Sequence, residues 1–164
     1  MKKITIVDYG SGNVLSAQKS FVKIAKDNNI EADVLISKKL KDIKNSTHIV
    51  LPGQGAFSTC MNGLKKTDGL IDELCEFALI KKKPFLGICV GMQMLAKMSE
   101  ENGDHEGLGW IDGQIKLLPG DNLKLPHMGW NLVMPTNSKY NNLISTKNDY
   151  YFVHSYYFDC ANKD

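Results

Sequence analysis

Pro84-Phe85-Leu86-Gly87-Ile88-Cys89-Val90-Gly91-Met92-Gln93 is the stretch that decides the fold. Pro84 ends a preceding helix. Phe85 to Ile88 carries no polar side chain, which predicts a strand buried on both faces of a parallel sheet. Cys89 lies between Gly87 and Gly91, and Val90 to Met98 has helical character. An apolar strand that runs through G-x-C-x-G into a helix has the pattern of a nucleophile elbow, with cysteine in place of serine. So tight a turn needs glycine on both sides. It places Cys89 at the strand tip, where the partial positive charge of a helix start favours a thiolate. The backbone N–H of Val90 then points where an oxyanion would form.

The same alternation extends upstream. Lys3 to Val7 reads as a strand, Asp8-Tyr9-Gly10-Ser11-Gly12 as a turn, and Asn13 to Asn28 as a helix with Val14, Ala17, Phe21, Ile24 and Ala25 on one face. Ala32 to Ile36 is a second strand, Lys38 to Lys44 a short helix or turn, and Ile49 to Leu51 a third strand stopped by Pro52-Gly53. Gly69 to Lys83 is helical, with Leu70, Leu74, Phe77 and Ala78 together. Alternating βα units predict an α/β fold: a flavodoxin-like, mostly parallel sheet with helices on both faces. After Gly103 short apolar runs at Gln114–Leu118, Asn131–Met134 and Tyr150–Phe158 predict antiparallel strand additions in the C-terminal third. The whole chain, 1–164, reads as a single domain.

Two turns at strand ends compete for a ligand. Asp8-Tyr9-Gly10-Ser11-Gly12-Asn13 begins like a dinucleotide fingerprint, but Leu15 stands where the third glycine belongs and the second strand ends without an acid, which excludes that reading. In Leu51-Pro52-Gly53-Gln54-Gly55-Ala56-Phe57, the two glycines permit an exposed peptide whose N–H could complete an oxyanion hole. An ordinary βα turn would use the same residues.

Composition excludes several functions. All 20 basic residues are lysines, the net charge is only +2 and no basic stripe forms, which argues against a nucleic-acid partner. Lys81-Lys82-Lys83 suits a helix C-terminus. Cys60, Cys75, Cys89 and Cys160 form no C-x-x-C pair and have no histidine at ligand spacing, so no metal site is expected. The absence of a cleavable leader and of a long apolar span predicts a cytosolic protein with reduced thiols and no membrane partner. Cys75 is a packing residue within a helix. Among the histidines, His48 reads as a strand-edge residue and His105 as exposed within the polar run from Ser99 to Glu106. His154 stands in an aromatic-rich strand, either as a core residue or, with Ser155 and Tyr156, as a polar pocket wall.

Together these segments resemble the class I (triad) glutamine amidotransferases. More narrowly, they resemble glutaminase subunits that serve a (β/α)8-barrel synthase in histidine biosynthesis. The resemblance is carried by Asp8-Tyr9-Gly10 with Gly12-Asn13, Pro52-Gly53-x-Gly55-Ala56-Phe57, Pro84 to Gln93, Glu106-Gly107-Leu108-Gly109, Pro126 to Asn131 and Tyr151 to Tyr157. It implies that Cys89 attacks the carboxamide of L-glutamine. Val90 and one N–H of Gly53, Gln54 or Gly55 would form the oxyanion hole. Gln93, His154, Ser155 and Tyr156 would hold substrate, and Asn13 and Trp130 would lie near the barrel partner. It implies no metal or organic cofactor. Position 54 is Gln where the family usually has Val. The family's His-Pro-Glu triad segment is not matched, for no H-x-E occurs in these 164 residues. With the elbow intact, this reads as a C-terminally incomplete domain rather than a dead binding subunit. Alternatives are a glutaminase serving another synthase, such as a surface-sugar amidotransferase, and a different cysteine enzyme on the same sheet.

Overall fold

The computed structural model describes residues 1–120, 124–134 and 148–162. Strand β1 (Lys2–Val7), helix α1 (Val14–Asp27), β2 (Ala32–Ser37), α2 (Leu40–Lys44), β3 (His48–Gly53), α3 (Phe57–Lys65), α4 (Leu70–Cys75) and β4 (Phe85–Cys89) follow one another. They build a four-stranded parallel sheet in the order β2-β1-β3-β4. Side chains alternate across each strand. Val7, Ile49 and Leu51 face one way and pack with Ile43, Phe57, Leu64, Leu70, Leu74 and Phe77 in the main core. Ile6 and Val50 face the other way, where α1 packs along β1 and β2.

Leu86 in β4 is 48% exposed rather than buried on both faces. β4 is an edge strand, and α1 packs along β1 and β2, so the Leu86 side is left open. The helix after Cys89 is a single turn, α5 (Val90–Gln93), not a run to Met98. The carbonyls of Met94, Leu95 and Ala96 accept from the N–H groups of Leu108, Ile111 and Gly109, a tertiary capture that replaces the next helical turn. And α3 was not anticipated, although Phe57, Cys60, Met61 and Leu64 form its buried stripe at helical spacing. Residues Glu76–Ile80 continue α4 as a π-helical turn.

The remaining strands form two further sheets. β5 (Ala96–Ser99), β6 (His105–Glu106), β7 (Ile111–Leu117) and β10 (Tyr156–Cys160) are arranged β10-β7-β5-β6, with β5 and β7 parallel and the other pairs antiparallel. β8 (His127–Val133) and β9 (Asn148–His154) form an antiparallel pair. The expected strand Tyr150–Phe158 is thus two strands in different sheets, broken at Ser155, whose carbonyl accepts from Leu118 N–H. No helix among the described residues is long and apolar enough to cross a membrane.

Candidate active site

β3 and β4 end side by side at the carboxyl edge of the parallel sheet, with Gly53 in register with Cys89. Cys89 is exposed and holds φ 56° and ψ −121°. A non-glycine residue rarely adopts this conformation, and it is the strained turn that the G-x-C-x-G pattern predicts. The flanking glycines are there for close approach. A β-carbon on Gly87 would lie 2.6 Å from Met92 Cα, and one on Gly91 would strike the Leu51 carbonyl. As the first residue of α5, Val90 keeps an N–H with no partner inside the helix. One turn of helix supplies that donor but little of the macrodipole expected behind Cys89.

The oxyanion-loop candidates separate. Gly53 completes β3, and a β-carbon there would lie 2.8 Å from the Val90 carbonyl carbon, so the close approach of the elbow requires glycine. Gly55 turns the chain at φ 92° into open space. Between them the backbone of Gln54 is tied to the β1–α1 turn. Ser11 Oγ donates to the Gln54 carbonyl at 2.8 Å and accepts from the Gln54 N–H at 3.3 Å.

A cleft of about 320 Å³ brings together Gln54, Gly55, Cys89, Val90, Gln93, His154, Ser155 and Tyr156. An adjoining, more apolar cleft of about 360 Å³ shares Cys89, Gln93, His154 and Tyr156 and is walled by Phe152 and Phe158. The Tyr156 carbonyl accepts from Gln93 Nε2 at 3.4 Å and lies 2.9 Å from His154 Nδ1. A carbonyl can only accept, so Nδ1 carries the proton and a neutral His154 ring keeps Nε2 as its acceptor. Among the described residues, no hydrogen-bond partner meets the Cys89 thiol. Asn13 and Trp130 lie outside this cleft. The Asn13 side chain caps α1, accepting from Ser16 N–H at 3.1 Å. Trp130 is 70% exposed on the β8–β9 pair and stacks edge-on with Tyr151.

Glu101 was not anticipated. It lines the cleft and its Oε2 accepts from Phe57 N–H at 2.7 Å, which fixes a carboxylate beside the loop. The sequence places it in a polar run indistinguishable from a solvated turn; only the return of β5 to the sheet edge brings it in. His105, expected to be exposed, is half-buried with Nε2 enclosed. Ser11 acts on the neighbouring loop, a contact across 43 residues that no pattern within its own turn encodes.

Residues 5–164 match the family model described as glutamine amidotransferase class-I. The imidazole glycerol phosphate synthase subunit HisH of Rhodospirillum rubrum is 42% identical over 164 residues, covering 98% of this chain and 77% of that protein. The subunit of the same name from Pelagibacter ubique is 45% identical over 158 residues, covering 94% and 74%. A solved structure titled "Crystal structure of glutamine amidotransferase" superposes with a TM-score of 0.69 over 98% of this chain and 75% of that chain, at 14% identity, a likeness of fold. A strained cysteine elbow on this sheet, matched by relatives over nearly all of its length, makes the chain a member of the class-I glutamine amidotransferases, within the HisH subunits of imidazole glycerol phosphate synthase.

Proposed function

We propose that the chain is the glutaminase subunit of imidazole glycerol phosphate synthase and supplies ammonia for histidine biosynthesis. Cys89 carries the reading: an exposed thiol on a strained elbow, opening into a cleft of the size a single amino acid needs. Its sulfur adds to the carboxamide carbon of glutamine. The resulting oxyanion is met by the Val90 N–H and by one N–H from the Gln54–Gly55 segment. Collapse passes the thiol's proton to the departing nitrogen, expels it as ammonia and leaves a thioester on Cys89, which water then cleaves to glutamate and free thiol. Gln93, Ser155 and Tyr156 line the cleft as partners for the amino-acid end of the substrate, and the Glu101 carboxylate complements its ammonium.

The receiver of the ammonia is a (β/α)8-barrel synthase, which converts it to imidazole glycerol phosphate and an aminoimidazole carboxamide ribotide. The exposed apolar face formed by Met128, Trp130, Tyr151 and Val153 supports a protein contact there. Four free cysteines support a reducing, cytosolic setting. No metal or organic cofactor enters the reaction. The domain is proposed to be completed by a triad His and Glu that these residues do not supply. A second reading, a binding subunit without turnover, is favoured by the lack of a partner for the Cys89 thiol among the described residues.

Labelling separates the two. A glutamine-like diazo-ketone is expected to modify Cys89, and Cys89→Ala to abolish both labelling and glutamine hydrolysis while the protein still folds. Mass spectrometry that places the label on Cys60 or Cys75 would overturn the assignment, and an unlabelled but glutamine-binding protein would favour the binding subunit.

A further inference from the structure

The turn after β5 sends two neighbouring carboxylates to different elements. Glu101 Oε2 accepts at 2.7 Å from the N–H of Phe57, the first residue of α3. Glu100 Oε1 accepts at 2.7 Å from the N–H of Leu117, the last residue of β7. The main chain between them is fixed as well. Glu100 N–H donates to the Ile115 carbonyl at 3.1 Å, and Glu101 N–H donates to Oγ of the fully buried Ser99 at 3.2 Å. The reason for the Glu100 bond lies in the strand lengths. β5 ends at Ser99, in register with Ile115, so on that edge no strand remains beside Leu117 to accept its N–H. The Glu100 side chain takes the place of the missing strand. It is not engaged as a counter-ion, because the nearby Lys116 ammonium is held by Asp159 at 2.9 Å.

The same end of β7 carries a second wall of the cleft. Leu117 is in register with Tyr156, and Leu118 N–H donates to the Ser155 carbonyl at 2.9 Å. Successive N–H groups along a strand point to opposite edges. Leu117 therefore reaches to Glu100 on one side, and Leu118 to Ser155 on the other. Two adjoining residues tie Glu101, through its neighbour, and Ser155 with Tyr156 to one strand end. All three line the cleft, and among the described residues Glu101 is the one carboxylate that does. It can meet an ammonium only if it stands within hydrogen-bond distance while the rest of the ligand lies against Gln93, Ser155 and Tyr156.

We propose that Glu100 is a positioning residue: by accepting from Leu117 it holds the turn that carries Glu101 at a set distance from Ser155 and Tyr156, and so sets the affinity for the ammonium end of an amino-acid substrate. The proposal rests on the glutaminase reading above and adds to it an exposed residue that touches no substrate. Glu100 acts as an acceptor rather than as a charge, so a glutamine at this position serves equally well.

The test follows the bond and the ligand separately, by NMR titration of the 164-residue chain. Every protein in the series carries Cys89→Ala, so that no ligand is turned over. The bond is read from the amide proton of Leu117. Glu100→Ala is expected to shift that resonance upfield, and Glu100→Gln to leave it near the parent position. The ligands are L-glutamine and glutaramate, which is glutamine without its ammonium group. Glu100→Ala is expected to raise Kd for glutamine roughly 3- to 10-fold and Kd for glutaramate by less than about twofold, with Glu100→Gln at the parent value for both. An unmoved Leu117 resonance in Glu100→Ala would show that the bond is not made in solution. A moved resonance with an unchanged glutamine Kd would show that the bond does not place Glu101. Equal losses for the two ligands would reduce Glu100 to general support of the fold, and a loss that Glu100→Gln does not restore would make its charge the cause; either overturns the proposal. A parent chain that binds neither ligand would instead defeat the glutaminase reading, and the positioning role with it.

Discussion

Cys89 shows how function and stability oppose each other at one residue. Its φ of 56° is a conformation that costs a side-chain-bearing residue on the order of 1–3 kcal/mol. The elbow tolerates this because the Gly87 and Gly91 backbones are clamped by Met92 and Leu51. Glycine at position 89 would remove the strain and forfeit about 0.4–1 kcal/mol through the greater freedom of its unfolded chain. Cys89→Gly is therefore expected to be more stable than Cys89→Ala by roughly 1 kcal/mol, or roughly 2–4 °C in Tm. Neither variant has a thiol, so lost chemistry cancels in the comparison. Equal stabilities, or a more stable alanine variant, would mean that the turn is not strained. The cysteine, its glycines and Val90 were legible in sequence because an elbow imposes a local pattern. Ser11 and Glu101 were not, because each acts across a gap in sequence: Ser11 on Gln54, and Glu101 on Phe57.

At the level of elements, local propensity located strands well and helix ends poorly. β1, β2 and β4 fall within a residue of expectation because β-branched and apolar runs bounded by turns have few other uses. The length of α5 could not be read, since what ends it is capture of the next carbonyls, those of Met94, Leu95 and Ala96, by the segment from Leu108 to Ile111. α3 could have been read from its stripe. α1 illustrates a residue with two competing explanations. The family resemblance assigns Asn13 to the partner surface, whereas the structure shows its side chain capping the helix. Asn13→Ala should cost about 1 kcal/mol, measured by denaturant unfolding, because Ser16 N–H loses its acceptor. Asn13→Asp retains an acceptor and should keep that stability. A partner contact made through the amide would still be lost in Asn13→Asp, so calorimetric titration should find weaker partner binding in both variants. Unchanged partner affinity in Asn13→Asp would leave Asn13 as a cap alone.

Over the whole molecule, the site exists only where separate layers meet. β3 and β4 bring the loop and the nucleophile, the turn after β5 brings Glu101, and the break between β9 and β10 brings His154, Ser155 and Tyr156. That convergence supplies a cleft and donors, but the thiol meets no base among the described residues. His154 is the nearest in kind. Its Nδ1 is held by a main-chain carbonyl, not by a carboxylate that would stabilise the protonated ring, as triad chemistry requires. Loss of a paired base costs about 10²–10⁴-fold in rate. Residues 1–164 with the synthase partner and its ligand are therefore expected to hydrolyse glutamine more slowly than a HisH relative that carries a paired base, by a factor of that order. His154→Ala should lower the residual rate less than about tenfold, acting through the cleft wall and the Tyr156 carbonyl rather than through proton transfer. The measurement is steady-state glutamate release by both proteins across pH 5 to 9 (roughly the span over which an imidazole titrates). Turnover matching the relative, with a hundredfold loss and a vanished acid limb in His154→Ala, would instead make His154 the base and the cleft catalytically complete as it stands.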